Sequence, residues 1–294
     1  MESGQSDEPR SFFVDANGIR LSCQDWGGEG LPIVILHATG FLGRVYRPIA
    51  LALRSAGHVY SYDQRGHGDS SRPADGDYSW ASTAADLKAF ILAMKLKGVR
   101  GLGHSAGATA IGSLAGAEPA LIARAMLVEP VVFDDEVPES VQNSLYERTR
   151  KRKRRFESAE AMFRNLEHKP PFDIWRRDML RGYCEYGTRP SPDGGVELKC
   201  PPEIEADFYS RAREFPGLTL ILKSRSPLLL MFGEKSDSTG IKIADKITSQ
   251  LVNGTVVTVP DADHFLPMEQ PEMIARMAAE FFSRHPGAIP IRGS

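Results

Sequence analysis

Gly103, His104, Ser105, Ala106 and Gly107 fit the pattern G-x-S-x-G, between the apolar run VRGLGH and a small-residue stretch, Ala106 to Ala117, that predicts a helix. A serine on so sharp a strand-to-helix bend takes a strained backbone conformation that only small neighbours permit. The bend sets its hydroxyl at a helix N-terminus. There the partial positive charge and the Ala106 amide can stabilise the negative oxygen formed when an acyl carbonyl is attacked. A serine hydroxyl is hardly ionised at neutral pH, so a neutral base has to take its proton, and imidazole, with a pKa of about 6.5, fits best. Seven histidines compete for that post.

Three further phrases narrow the field. HATGFLG, from His37 to Gly43, ends the apolar run before it, where a second donor to the oxyanion is needed. DQRGHGDSS follows the next apolar run, and DADHFLPMEQPE precedes the last predicted helix. With these phrases the chain resembles the α/β-hydrolase superfamily over nearly its whole length apart from one insertion. The resemblance implies Ser105 as nucleophile, His264 as general base, and the backbone N–H groups of Ala106 and Thr39 as the oxyanion hole. It gives the turn from Asp63 to Ser70 a structural role. His264 also lies in a loop after an apolar run, in the family's chain order. His37, His104 and His67 belong to the other motifs, and His58, His168 and His285 have no recognisable partner pattern.

The base needs a carboxylate to hold its tautomer and stabilise imidazolium. Asp237, after the run SPLLLMFGE, is at the commoner family position, but it falls one residue late for the G-x-x-D spacing, where Ser236 stands. Glu129 ends the run AMLVE, and Pro130 stops that strand so that the side chain can face a cleft. The spacing favours Glu129, a position that resembles the acid of haloalkane dehalogenases, zearalenone lactonases and fungal toxin-biosynthesis hydrolases, and leaves Asp237 as the alternative. Each has a bland reading too, Glu129 holding a loop and Asp237 capping a helix or turn. Dehalogenases and epoxide hydrolases use an aspartate nucleophile, so by the same resemblance Ser105 argues against both.

These residues have to be carried by something rigid. Asn17-Gly18 between two strand-like segments, in VDANGIRLSCQDW, is a hairpin signal. After it, LPIVILH, HVYSYD, VRGLGH, ARAMLVEPVVF, SPLLLMFGE and GTVVTVP alternate with helical stretches near Arg44 to Ser55, Ser79 to Met94, Ala106 to Ala117, Ile241 to Leu251 and Pro271 to Arg284. Buried apolar runs alternating with helices predict an α/β fold, a mostly parallel eight-stranded sheet with helices on both faces. The alternation breaks from 134 to 218, a charged, aromatic, mostly helical stretch with proline-rich joints. It reads as an inserted helical cap, or lid, on a core made of 1–133 and 219–294.

The totals agree with a small-molecule enzyme. The 294 residues carry 41% hydrophobic and 25% charged residues and a net charge of −2, with no bulk pull toward nucleic acid or acidic membranes. Cys23, Cys184 and Cys200 are widely spaced and read as reduced structural thiols. No cofactor or metal is called for by the motifs. The polar start and the lack of a long apolar run lead us to expect a cytoplasmic protein with no membrane partner. Oligomeric state is not legible.

The lid aromatics, among them Phe163, Phe172, Trp175 and Tyr183, read chiefly as packing that also roofs an apolar pocket. The basic run RTRKRKRRF, Arg148 to Arg155, reads as solvated surface or, alternatively, as a site for an anion such as the phosphates of an acyl-CoA. The expected function is hydrolysis of an apolar carboxylic ester or lactone through an acyl-serine. Acyl-CoA thioester or carbon–carbon bond hydrolysis on the same residues, and a non-catalytic small-molecule receptor, are the alternatives.

Overall fold

A computed structural model of the protein describes residues 6–134 and 138–284; His285 lies outside them. Strands β1 (Arg10–Ala16) and β2 (Ile19–Gly27) form the expected hairpin. Asn17 and Gly18 both take positive φ, 52° and 73°, the combination that a tight hairpin turn needs. The main sheet continues with β3 (Pro32–Leu36), β4 (His58–Tyr62), β5 (Val99–His104) and β6 (Ile122–Val128). Three short strands follow, β7 (Arg155–Phe156), β8 (Thr188–Pro190) and β9 (Val196–Leu198), and then β10 (Leu228–Gly233) and β11 (Gly254–Val259) return to the main sheet.

That sheet has eight strands in the order β1-β2-β4-β3-β5-β6-β10-β11, antiparallel at the β1–β2 and β2–β4 pairings and parallel elsewhere. Alternation of side chains along β3 shows how it is covered. Ile33 and Ile35 join one core with Ile49 and Leu53 of helix α1 (Arg47–Leu53), while Val34 and Leu36 join another with Leu87 of α2 (Trp80–Ala93) and Ile111 of α3 (Ala106–Ala117). Both faces being buried, the central strands are nearly continuous apolar runs, as the sequence pattern required.

Between β6 and β10 lie α4 (Glu139–Arg150), α5 (Ala159–Leu166), α6 (Arg177–Tyr186), α7 (Pro202–Ser210) and α8 (Gly217–Leu222). Beside these helices, which the mostly helical pattern led us to expect, β7, β9 and β8 form an antiparallel sheet of their own that the pattern does not show. Gly194 and Gly195, both at positive φ, turn β8 back onto β9 in TRPSPDGGVEL, a stretch that reads from sequence only as a proline-rich break. The boundary expected between 218 and 219 falls inside α8, which packs on α3. Phe156, Phe163, Trp175 and Tyr183 of this insertion are buried in the same core as Ile49 and Leu53 of α1.

After β10 come α9 (Thr239–Lys242) and α10 (Ala244–Gln250), and after β11 come α11 (Leu266–Glu269) and α12 (Pro271–Ser283), which packs against α1. No helix among the described residues is long and apolar enough to cross a membrane.

Candidate active site

Ser105 stands alone between the last residue of β5 and the first of α3, with φ 55° and ψ −120°. For a residue with a side chain this is a costly conformation, and the neighbours show why it is held. A Cβ on Gly103 would come within 2.4 Å of the Ala108 Cα, and one on Gly107 within 2.3 Å of the Leu36 carbonyl oxygen. The two motif glycines therefore let α3 lie directly on the ends of β5 and β3. The Ser105 N–H donates to the Val128 carbonyl at 2.9 Å, tying the bend to β6.

Two other loops reach that bend from distant parts of the chain. His264, in the loop after β11, has its Nε2 3.1 Å from the Ser105 Oγ and its Nδ1 3.2 Å from the Glu129 Oε2. The Nδ1–H donates to the carboxylate, so Nε2 is left to accept from the serine hydroxyl. Glu129, one residue past β6 and at φ 54°, is fully buried. Its carboxylate sits in a polar nest, accepting also from the Gly233 N–H at 2.5 Å and from the Ser236 and Ser238 hydroxyls at 2.7 Å each. Asp237, between those two serines, is exposed and makes no hydrogen bond to His264. The one-residue offset noted in the sequence thus has a physical counterpart: serine side chains on either side of Asp237 serve Glu129.

The remaining motif histidines hold backbone in place. The His67 Nε2 accepts from the Gly40 N–H at 2.9 Å, and the His37 Nε2 accepts from the Gln64 N–H at 2.9 Å. His104 spans two loops: its Nε2–H donates to the His264 carbonyl at 2.9 Å, and its Nδ1 accepts from the Tyr46 hydroxyl at 2.7 Å. The same tyrosine oxygen accepts from the Ala38 N–H at 3.2 Å. Burial, which disfavours imidazolium, lowers His67 to about 4 and, with the nearby His264 charge, His104 to about 3. Neutral rings are what these acceptor roles require. Tyr46 and the second duty of His104 are absent from the sequence reading, and nothing in RVYRPI marks that tyrosine.

Thr39 and Ala106, expected to supply oxyanion donors, end up on the two segments that flank Ser105. Gly40, Phe41 and Ser105 spend their amides on His67, the Ala38 carbonyl and the Val128 carbonyl, whereas the Thr39 and Ala106 N–H groups have no acceptor among the described residues. Five rings cluster beside the Thr39 loop and His264. Trp175 lies edge-on to Phe41 at 5.0 Å between centroids, with Phe172, Tyr183 and Phe265 within 5.9 Å of it, and Phe265 is edge-on to His264 at 5.4 Å.

The basic run disperses. Arg154 pairs with Glu197 and Glu203, Arg155 with Asp193 and Glu197, and Arg152 with Glu205 while donating to the Tyr183 hydroxyl at 3.0 Å. Lys153 lies over the Phe156 ring. Carboxylates of the insertion thus relieve the mutual repulsion that would otherwise favour an added anion.

A model of the alpha/beta hydrolase family matches residues 33–277. The 2-(acetamidomethylene)succinate hydrolase of Mesorhizobium japonicum is 26% identical over 281 residues, 94% of this chain and 96% of that one. A non-heme chloroperoxidase of Streptomyces lividans is 34% identical over 119 residues, and that match spans only 43% of the relative's length. Among solved structures, E-2-(acetamidomethylene)succinate hydrolase superposes with a TM-score of 0.84 at 23% identity, over 94% of this chain and 100% of that one.

Proposed function

The chain belongs to the alpha/beta hydrolase family, and from that premise we propose that it is a serine hydrolase cleaving a small carboxylic ester or lactone through an acyl-serine intermediate. The observation that carries the proposal is the unbroken line from Glu129 through His264 to Ser105, at 3.2 and 3.1 Å. His264 Nε2 takes the Ser105 proton as Oγ bonds to the substrate carbonyl carbon. The Thr39 and Ala106 amides donate to the resulting oxyanion, and Glu129 stabilises the imidazolium. Collapse of the tetrahedral species breaks the bond to the leaving alkoxide, which receives the proton from His264. Water then repeats the sequence on the acyl-serine, giving up a proton to His264, and Ser105 is restored.

The domain division belongs to the same proposal, with 1–133 and 219–294 carrying these residues and 134–218 covering them. The substrate is a small molecule with an apolar part, since the rings beside His264 and the Thr39 loop offer it apolar surface.

Labelling by a fluorophosphonate probe tests the nucleophile. Folded wild-type protein should react at Ser105 and the S105A variant should not; no labelling of folded wild type favours a non-catalytic receptor. A panel of esters, lactones, acyl-CoA thioesters and 2-(acetamidomethylene)succinate then ranks substrates. A strong, salt-sensitive preference for the CoA compounds would contradict the ester reading.

A further inference from the structure

Two polar atoms in and against the loops that flank Ser105 and His264 lack partners. Among the described residues the Trp175 Nε1 and the Thr39 Oγ1 are buried without any hydrogen bond, and the two residues are 4% and 5% exposed. A buried donor left unpaired forfeits the hydrogen bond it made to water in the unfolded chain, so such a group persists where something other than stability uses it.

Their positions say what that use could be. Thr39 precedes Gly40 and Phe41 in the loop that supplies the expected oxyanion amide. Trp175 is edge-on to Phe41 and 5.8 Å between centroids from Phe265, the neighbour of His264. Other unpaired atoms, such as the Tyr62 hydroxyl and the Ser113 Oγ, belong to the strand and helix that make the sheet core rather than to these loops. The indole differs from a hydroxyl in that it only donates, and its N–H cannot rotate toward another acceptor once the ring is packed between Phe41, Phe172 and Phe265. Tyr183, the fourth neighbour of the indole, makes no hydrogen bond to it; its hydroxyl accepts from the Arg152 guanidinium instead.

We propose that Trp175 determines specificity: its indole N–H, with the Thr39 hydroxyl as a second donor, binds an oxygen acceptor that the substrate carries in addition to its scissile carbonyl. The preferred class is therefore a flat or short apolar ester or lactone bearing a further keto or carboxylate oxygen, not a plain alkyl ester. Rings supply the apolar surface, and the donor selects among molecules that fill it. This inference rests on the serine hydrolase reading, and it extends that reading from reaction type to substrate.

The test compares matched esters in a pH-stat assay, wild type against W175F, which removes the N–H and keeps an aromatic ring. Ethyl 4-oxopentanoate is set against ethyl pentanoate, and 2-oxopropyl pentanoate against propyl pentanoate, so that the acceptor is offered on the acyl side and on the alcohol side. Monoethyl succinate offers it as a carboxylate. The wild type should favour at least one acceptor-bearing ester by about tenfold in kcat/KM, and W175F should lower that ratio by about tenfold. A ratio unchanged by W175F in every pair overturns the proposal, whatever happens to the absolute rates.

Calorimetric binding of the same pairs to S105A and to S105A/W175F protein reads the preference without turnover. Loss of the acceptor preference in the double variant supports the proposal; equal binding of both members of each pair to S105A overturns it. If wild type neither turns over these esters nor reacts with fluorophosphonate, the hydrolase reading fails, and the binding comparison still decides the role of Trp175.

Discussion

Replacing Glu129 by glutamine keeps the shape of the side chain and removes its charge, so it isolates what the carboxylate does for His264. On the proposed mechanism the imidazole becomes imidazolium in the transition state, with its Nδ1 3.2 Å from the carboxylate oxygen. At an effective dielectric of about 20, a full charge pair at that distance is worth about 5 kcal/mol, or about 10⁴ in rate. The charge is incomplete in the transition state, and a glutamine oxygen still accepts from Nδ1–H, so we expect E129Q to lower kcat by ~10³ to ~10⁴. Asp237 is exposed, and the carboxylate that pairs with His264 is that of Glu129, so D237N should change kcat by less than about threefold. Both variants are assayed on the best ester of the panel, with thermal melts to show that each is folded, because the introduced amide brings an NH2 group among the Gly233, Ser236 and Ser238 donors. Folded E129Q within tenfold of wild type, together with a D237N loss beyond a hundredfold, would show that Asp237 and not Glu129 is the acid.

Two other perturbations probe the frame. Y46F deletes the oxygen that joins the Ala38 N–H to His104, whose far nitrogen holds the His264 carbonyl; kcat should fall ~10- to ~100-fold with KM within about threefold. A lowered Tm with unchanged kcat would make Tyr46 merely structural. H67Q tests the neutral-ring argument through pH. The folded pKa of His67 is about 4 against about 6.5 unfolded, so its stabilising contribution is complete above pH 6.5 and is lost as pH falls through 4. Over that window wild type should lose up to about 3 kcal/mol more stability than H67Q, read from urea titrations at successive pH values; parallel curves would refute it.

How far the sequence reaches is visible in particular residues. Asn17-Gly18, the apolar runs and the glycines around Ser105 are local signals, and each element they mark is present. Turn type, strand burial and close helix approach depend on side chains within a few positions of one another. The three-stranded sheet of the insertion escaped because its strands are two or three residues long, too short to display an alternation.

The Ser105 bend, the order of motifs and the sheet with helices on both faces were determined by the sequence alone, since backbone sterics and hydrophobic periodicity are written residue by residue. Which carboxylate meets His264, what Tyr46 connects and where the cations of the basic run point were decided only by the tertiary structure. Hydrogen bonds and ion pairs join whichever atoms the packed strands bring within about 3 Å, and residues far apart in the chain carry no mark of that meeting until the chain is folded.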